Sequence, residues 1–105
     1  MKKFIFVYQG KDMSNYKPEE MKASMEKWMA WFGTFQDKMV DGGSPFAPGG
    51  KSVTAKGVEE VAKAATGYTI INAKDMDEAV SIAKTCPSLD EDIQGGVDVY
   101  EAMPM

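Results

Sequence analysis

The segment Gly67-Tyr-Thr-Ile-Ile-Asn-Ala-Lys-Asp-Met-Asp-Glu-Ala-Val-Ser-Ile-Ala-Lys-Thr-Cys86-Pro87 constrains the fold most, because a strand, a capped helix and a stop follow one another in it. Tyr68 to Ala73 is aromatic and β-branched, which suits a packed, pleated surface. Asp75 can accept from the unpaired amides of a first helical turn, with Glu78 placed for the reciprocal half of a capping box. Both carboxylates oppose the positive end of the helix dipole. Met76, Ala79, Val80 and Ala83 follow the spacing of one buried stripe. Pro87 disfavours helix at Cys86 and ends the element.

The remaining elements follow from the same signals. Lys3 to Tyr8 reads as a strand with Phe4, Phe6 and Tyr8 on one face and Ile5 and Val7 on the other. Its apolar run is too short for the core of a signal peptide. Residues 9–17 read as a polar loop. Pro18, Glu19 and Glu20 then open a long helix expected to reach about Met39, with a core stripe of Met21, Met25, Trp28, Phe32, Phe35 and Met39. Trp31 lies off that stripe and is a candidate for an interface or a pocket. Residues 40–50, rich in Gly and Pro, form a loop, and residues 51–56 read as a strand. Residues 57–66 allow either a short helix or a wide hairpin loop. After a loop over 88–95, Val97 to Ala102 alternates as a final strand.

The order is β-α-β-β-α-β, the ferredoxin-like pattern of an antiparallel four-stranded sheet with both helices on one face. The chain reads as a single α+β domain over residues 1–105, a length that buries about 60–70% of its extended surface. The first and third strands are apolar on both sides, so the face away from the helices also needs cover. A second copy of the chain in a twofold homodimer is the simplest answer.

Composition removes several function classes. All twelve basic residues are Lys and the net charge is −4, which argues against nucleic-acid binding. There is no His, hence no imidazole base and no histidine-ligated metal from this chain. No apolar run approaches the roughly 18 residues of a membrane span. One cysteine allows no internal disulfide and suits a reducing compartment, so the expected location is the cytoplasm.

The quoted segment, the Lys3-Phe-Ile-Phe-Val-Tyr8 strand, the helix with Met21-Lys-Ala-Ser-Met-Glu-Lys-Trp-Met29, Gly42-Gly43 and the final Gly95-Gly-Val-Asp-Val-Tyr-Glu101 together resemble the YCII/DGPF-related family. Its members are small proteins of the dimeric α/β-barrel type. The resemblance implies that fold and a homodimer. Asp41-Gly-Gly-Ser-Pro-Phe46 only echoes the Asp-Gly-Pro-Phe signature and lies earlier, and the His-Asp pair of some members has no counterpart here. Enzymatic members, such as a dehydrochlorinase-like branch, therefore lend little support to catalysis in this chain.

Candidate chemistry is sparse. Asp41 and Ser44 sit in a Gly-rich loop and can be read as an acid-base and hydrogen-bonding pair, or as a polar turn bonding its own backbone. Tyr8, Tyr68 and Tyr100 lie on strands and can offer hydroxyls to a cavity on the sheet, or serve as packing residues. Gly50-Lys51-Ser52 lacks the preceding Gly of a P-loop, where Pro45 stands, and precedes a strand. Cys86, at a helix C-terminus, has nothing that lowers its pKa and reads as packing. Asp90-Glu91-Asp92 with Asp98 lacks the spacing of a calcium loop and reads as a solvated turn; Asp98 and Glu101 otherwise read as cross-strand partners. No cofactor or metal is expected. Three functions remain open: a homodimer binding a small organic molecule, a cofactor-independent lyase-like enzyme using Asp41, and a structural or regulatory protein partner.

Overall fold

Alternating apolar residues at Phe4, Phe6 and Tyr8 place the first strand at the centre of the molecule, and everything else assembles around it. The computed structural model describes residues 1–10, 17–47, 49–62, 65–89 and 95–104. The elements are β1 (Lys2–Gln9), α1 (Pro18–Thr34), β2 (Met39–Asp41), β3 (Lys51–Thr54), β4 (Gly57–Glu60), β5 (Ala65–Ala73), α2 (Met76–Ala83) and β6 (Gly96–Ala102). Four strands form an antiparallel sheet in the order β2-β5-β1-β6, and β3 and β4 form a separate hairpin. The α+β ferredoxin-like architecture is as the sequence predicts.

One strand assignment is corrected. The second strand of the main sheet is β2, not residues 51–56. A strand was expected there to follow a long loop, but Met39–Asp41 reaches the edge of β5 first, with Met39 opposite Ile71 and Asp41 opposite Ile70. Helix α1 stops at Thr34 rather than near Met39. Thr34 Oγ1 donates to Trp31 O at 2.6 Å, and Phe35 and Lys38 amides donate to Phe32 O and Phe35 O, tightening the chain into a 3-10 turn over Gln36–Lys38. Residues 57–60 are neither the short helix nor the wide hairpin loop expected over 57–66: they form strand β4, paired with β3 across a tight turn at residues 55–56. The acidic turn at residues 90–92 and most of the loop expected over 9–17 lie outside the described residues.

The core is Phe4, Phe6 and Tyr8 of β1 and Ile71 and Ala73 of β5, against Trp31 and Phe35 of the α1 end and Ala79 and Ala83 of α2. Within α1 the expected stripe is only half right. Phe35 is buried and Trp28 and Phe32 are half-buried, but Met21, Met25 and Met29 are exposed and Trp31 holds the centre. Trp31 stacks against Phe6 and meets Phe35 edge-on at 4.6 Å, while its indole N–H donates to Thr85 Oγ1 at 2.9 Å and Ile82 O at 3.2 Å. A large ring with a satisfied donor wins the centre over flexible methionines.

Helix α2 has the Asp75 N-cap its sequence encodes, but Glu78 reaches past Asp75 to the residue before it rather than closing a capping box. Asp75 Oδ1 accepts from the Glu78 amide at 2.9 Å, and Glu78 reaches back to the Lys74 amide at 3.2 Å. Ala79 and Ala83 form its buried contact, and Val80 is half-buried. No helix among the described residues is long and apolar enough to cross a membrane.

Candidate functional site

Strand parity divides the candidate residues between two faces of the sheet. Directly opposed residues of an antiparallel ladder share a face. Phe4, Phe6 and Tyr8 oppose Ile71, Thr69 and Gly67 on β5, and Glu101, Val99 and Val97 on β6. This is the helix-covered face. Ile5 and Val7 oppose Ile70 and Tyr68 on one side, and Tyr100 and Asp98 on the other, on the face the helices do not touch.

The helix-covered face has polar groups, but the protein itself satisfies them. Tyr8 donates to Thr69 Oγ1 at 2.7 Å, and Thr69 donates to Gly42 O at 3.0 Å. Tyr8 meets Trp28 edge-on at 4.7 Å. Cys86 Sγ lies 3.2 Å from Ser88 Oγ and accepts from the Ser88 amide, and Ser88 Oγ donates to Gly96 O. Among the described residues, no buried side-chain nitrogen or oxygen lacks a partner. Tyr8 and Trp31 thus belong to a closed, packed region. The groove that Trp31 borders, with Lys27, Ala30, Thr34, Thr85 and Pro87, is a shallow surface depression.

Burial pushes the Tyr8 phenol well above its ordinary range, the bond to Thr69 opposing this only in part and the Cys86 thiol adding to it. Tyr8 is therefore a neutral hydroxyl at physiological pH, not an acid-base group. The unfolded chain loses a tyrosine proton near pH ~10, whereas the native chain keeps it on Tyr8. The resulting stabilisation is intact below pH ~10 and is lost as pH rises above it. Tyr8→Phe is expected to cost about 1 kcal/mol at neutral pH and to flatten the alkaline fall in stability measured by denaturant melts. Equal alkaline slopes in the two proteins would refute this.

The uncovered face has a different composition. Ile5, Val7 and Ile70 make a half-buried apolar floor. Tyr68 and Tyr100 stand on either side of it, Tyr100 being 57% exposed. Asp98, half-buried on β6, accepts from Gln9 Nε2 at 2.6 Å, a diagonal cross-strand contact. Asn72 adds an amide on the same face, opposite Lys3. At the β2 edge the loop after Asp41 turns back, and Phe46 lies against Tyr68 with ring centroids 5.9 Å apart. An apolar floor ringed by phenols, an amide and a carboxylate is the composition of a site for a small organic molecule.

Asp41 and Ser44 are exposed at the margin of this face. Asp41 Oδ1 accepts from the Gly43 amide at 2.8 Å, so the Asp41 carboxylate is engaged in the turn that shapes the loop. Asp98 is the better placed carboxylate, and Gln9 its positioning partner. From sequence, Asp98 reads as a cross-strand partner or as part of an acidic turn, and Gln9 as the start of a polar loop, whereas the structure places Gln9 at the end of β1 and against Asp98. The signal was available in their parity: Gln9 falls in step with Ile5 and Val7, and Asp98 with Tyr100. Among the described residues no group of acidic side chains and Cys is placed to hold a metal ion.

The chain matches no family model. No curated protein sequence matches it either. Among solved structures it is similar to 5-chloro-2-hydroxyhydroquinone dehydrochlorinase from Burkholderia phenoliruptrix AC1100, in a complex with 2,5-dihydroxybenzoquinone. The two share 14% identity with a TM-score of 0.57, over 98% of this chain and 95% of that one. At that identity the likeness is one of fold.

Proposed function

We propose that this chain is a single-domain, cytoplasmic, YCII/DGPF-type protein that forms a homodimer and binds a small, flat organic molecule on the uncovered sheet face. The observation that carries this reading is the floor of Ile5, Val7 and Ile70 bordered by Tyr68, Tyr100 and the Gln9–Asp98 pair. The molecule measures 42 × 36 × 20 Å. Its thin dimension suits one sheet and one helix layer, each about 10 Å deep, with no third layer over the floor among the described residues. A second copy laid against it would turn an open face into an enclosed chamber. Tyrosine hydroxyls and the Asp98 carboxylate would orient ring oxygens, and the branched aliphatics would hold the ring. The structural neighbour, in complex with 2,5-dihydroxybenzoquinone, supports a ligand of that class.

The test is titration with 2,5-dihydroxybenzoquinone, followed by calorimetry, on protein whose mass is checked by light scattering. Saturable binding is expected, weakened at least roughly tenfold by Tyr100→Ala and by Asp98→Asn, with unchanged circular dichroism. No saturable binding by the dimer would favour the structural or regulatory role instead.

A second reading is favoured by the half-buried, hydrogen-bonded carboxylate of Asp98. In it the chain is a cofactor-independent lyase that removes a proton with a carboxylate, Asp98 or Asp41, as chloride leaves. The chain has no imidazole, and carboxylates are the next commonest general bases. Chloride release from a chlorinated hydroquinone at the buffer rate would overturn the lyase reading and leave the binding reading standing.

A further inference from the structure

The hairpin of β3 and β4 is exposed at every residue from Lys51 to Glu60. Its register pairs are Lys51 with Glu60, Ser52 with Glu59, Val53 with Val58, and Thr54 with Gly57. Successive pairs alternate between faces, so one face carries Lys51, Glu60, Val53 and Val58 together. The two valines are 74% and 65% exposed, and the Lys51 and Glu60 side chains pair with each other. At its base the hairpin is tied by the Val61 amide to Gly50 O at 3.4 Å. An isolated two-stranded hairpin is marginal at best in water. This one turns its two cross-strand valines onto a face that none of the other described residues covers.

We infer that the β3–β4 hairpin is an intersubunit arm whose Val53–Val58 face packs on the same hairpin of a second copy. The inference rests on the homodimer proposed above and specifies how that dimer is held. Charge chooses the partner. A twofold rotation about an axis along the strands, which lays Val53 on the partner's Val58, sets Lys51 against the partner's Glu60, and Glu60 against the partner's Lys51. The face is thus complementary to itself. A stable interface buries about 1,200–2,000 Å² in total, more than so short a hairpin supplies. The arm therefore acts together with the uncovered sheet face.

The experiment is sedimentation equilibrium on the wild type, on Val53→Lys/Val58→Lys and on Val53→Thr/Val58→Thr. The Thr variant is nearly isosteric and keeps β propensity, which guards against loss of the hairpin itself. The expected result is a dimeric wild type, a dimer Kd raised at least roughly tenfold by the Lys variant, and a several-fold rise from the Thr variant, with unchanged circular dichroism. A dimeric wild type whose Kd neither variant alters overturns the arm and leaves the homodimer intact. A wild type that stays monomeric at all concentrations overturns the homodimer reading, and the arm with it. A hairpin that captures only an unlike protein also overturns the arm.

Discussion

Gly43→Ala is expected to destabilise the protein by about 3 kcal/mol or more, because two independent penalties coincide there. Gly43 has φ +77°, in the left-handed region, and a Cβ at this position would lie 1.7 Å from Tyr68 O. The first penalty alone is about 1–3 kcal/mol for an alanine. The second cannot be relieved by a rotamer, since the obstructing atom is backbone of β5. Relief requires the loop to lift away from the strand. That motion strains the Thr69 bond to Gly42 O and the turn held by Asp41. It also moves Phe46 off Tyr68, so any ligand affinity of the uncovered face is expected to fall with the stability. Gly33→Ala is the control. Gly33 sits inside α1 with nothing within 4 Å of a built Cβ, and the substitution is expected to stabilise by about 0.5–1 kcal/mol. Urea melts of both variants check the pair; a Gly43→Ala protein as stable as wild type would mean that the loop does not hold this approach to β5.

Trp31→Ala is the second large effect, expected to cost about 3–5 kcal/mol. Trp31 is 4% exposed and its ring meets Phe6, Tyr8, Trp28, Phe32 and Phe35 at centroid distances between 4.6 and 6.1 Å. Its removal leaves a cavity bounded by aromatic rings on both α1 and β1, which cannot close without moving the helix. Trp31→Phe separates ring volume from the indole donor. Ile82 O still accepts from Thr85 Oγ1 at 2.9 Å, so the Phe variant leaves that carbonyl partnered and is expected to lose less than half as much. Guanidinium melts decide the point, with Trp28→Ala as comparison, since Trp28 is only half-buried. A Trp31→Ala loss no larger than that of Trp28→Ala would displace Trp31 from the centre of the core.

The site was legible in part. Tyr68 and Tyr100 stand out as aromatic residues on strands, and both border the uncovered face. Tyr8 is likewise an aromatic residue on a strand, yet it points into the helix layer. Only register separates them: Tyr8 lies opposite Gly67, which sends Tyr68 to the other face, and a slip of one residue would bring the two together. Asp41 drew notice because Gly-rich loops approach ligands, but the same loop geometry turns its carboxylate onto the Gly43 amide. The pairing of Gln9 with Asp98 is not visible in a linear reading, since the two residues are 89 apart and their contact runs diagonally between strands.

The sequence by itself determined the elements whose causes are local: the capped helix after Asp75, the strands at Lys2–Gln9, Ala65–Ala73 and Gly96–Ala102, and the stop before Pro87. Caps, alternation and proline act within a few residues, so a few residues suffice to read them. Tertiary structure alone decided that Met39–Asp41 rather than Lys51–Thr54 joins the main sheet, that α1 turns Trp31 rather than its methionines inward, and which tyrosines share a face. Each of these depends on which distant backbone edge or ring is reached first. That competition is settled by packing and register across the whole chain.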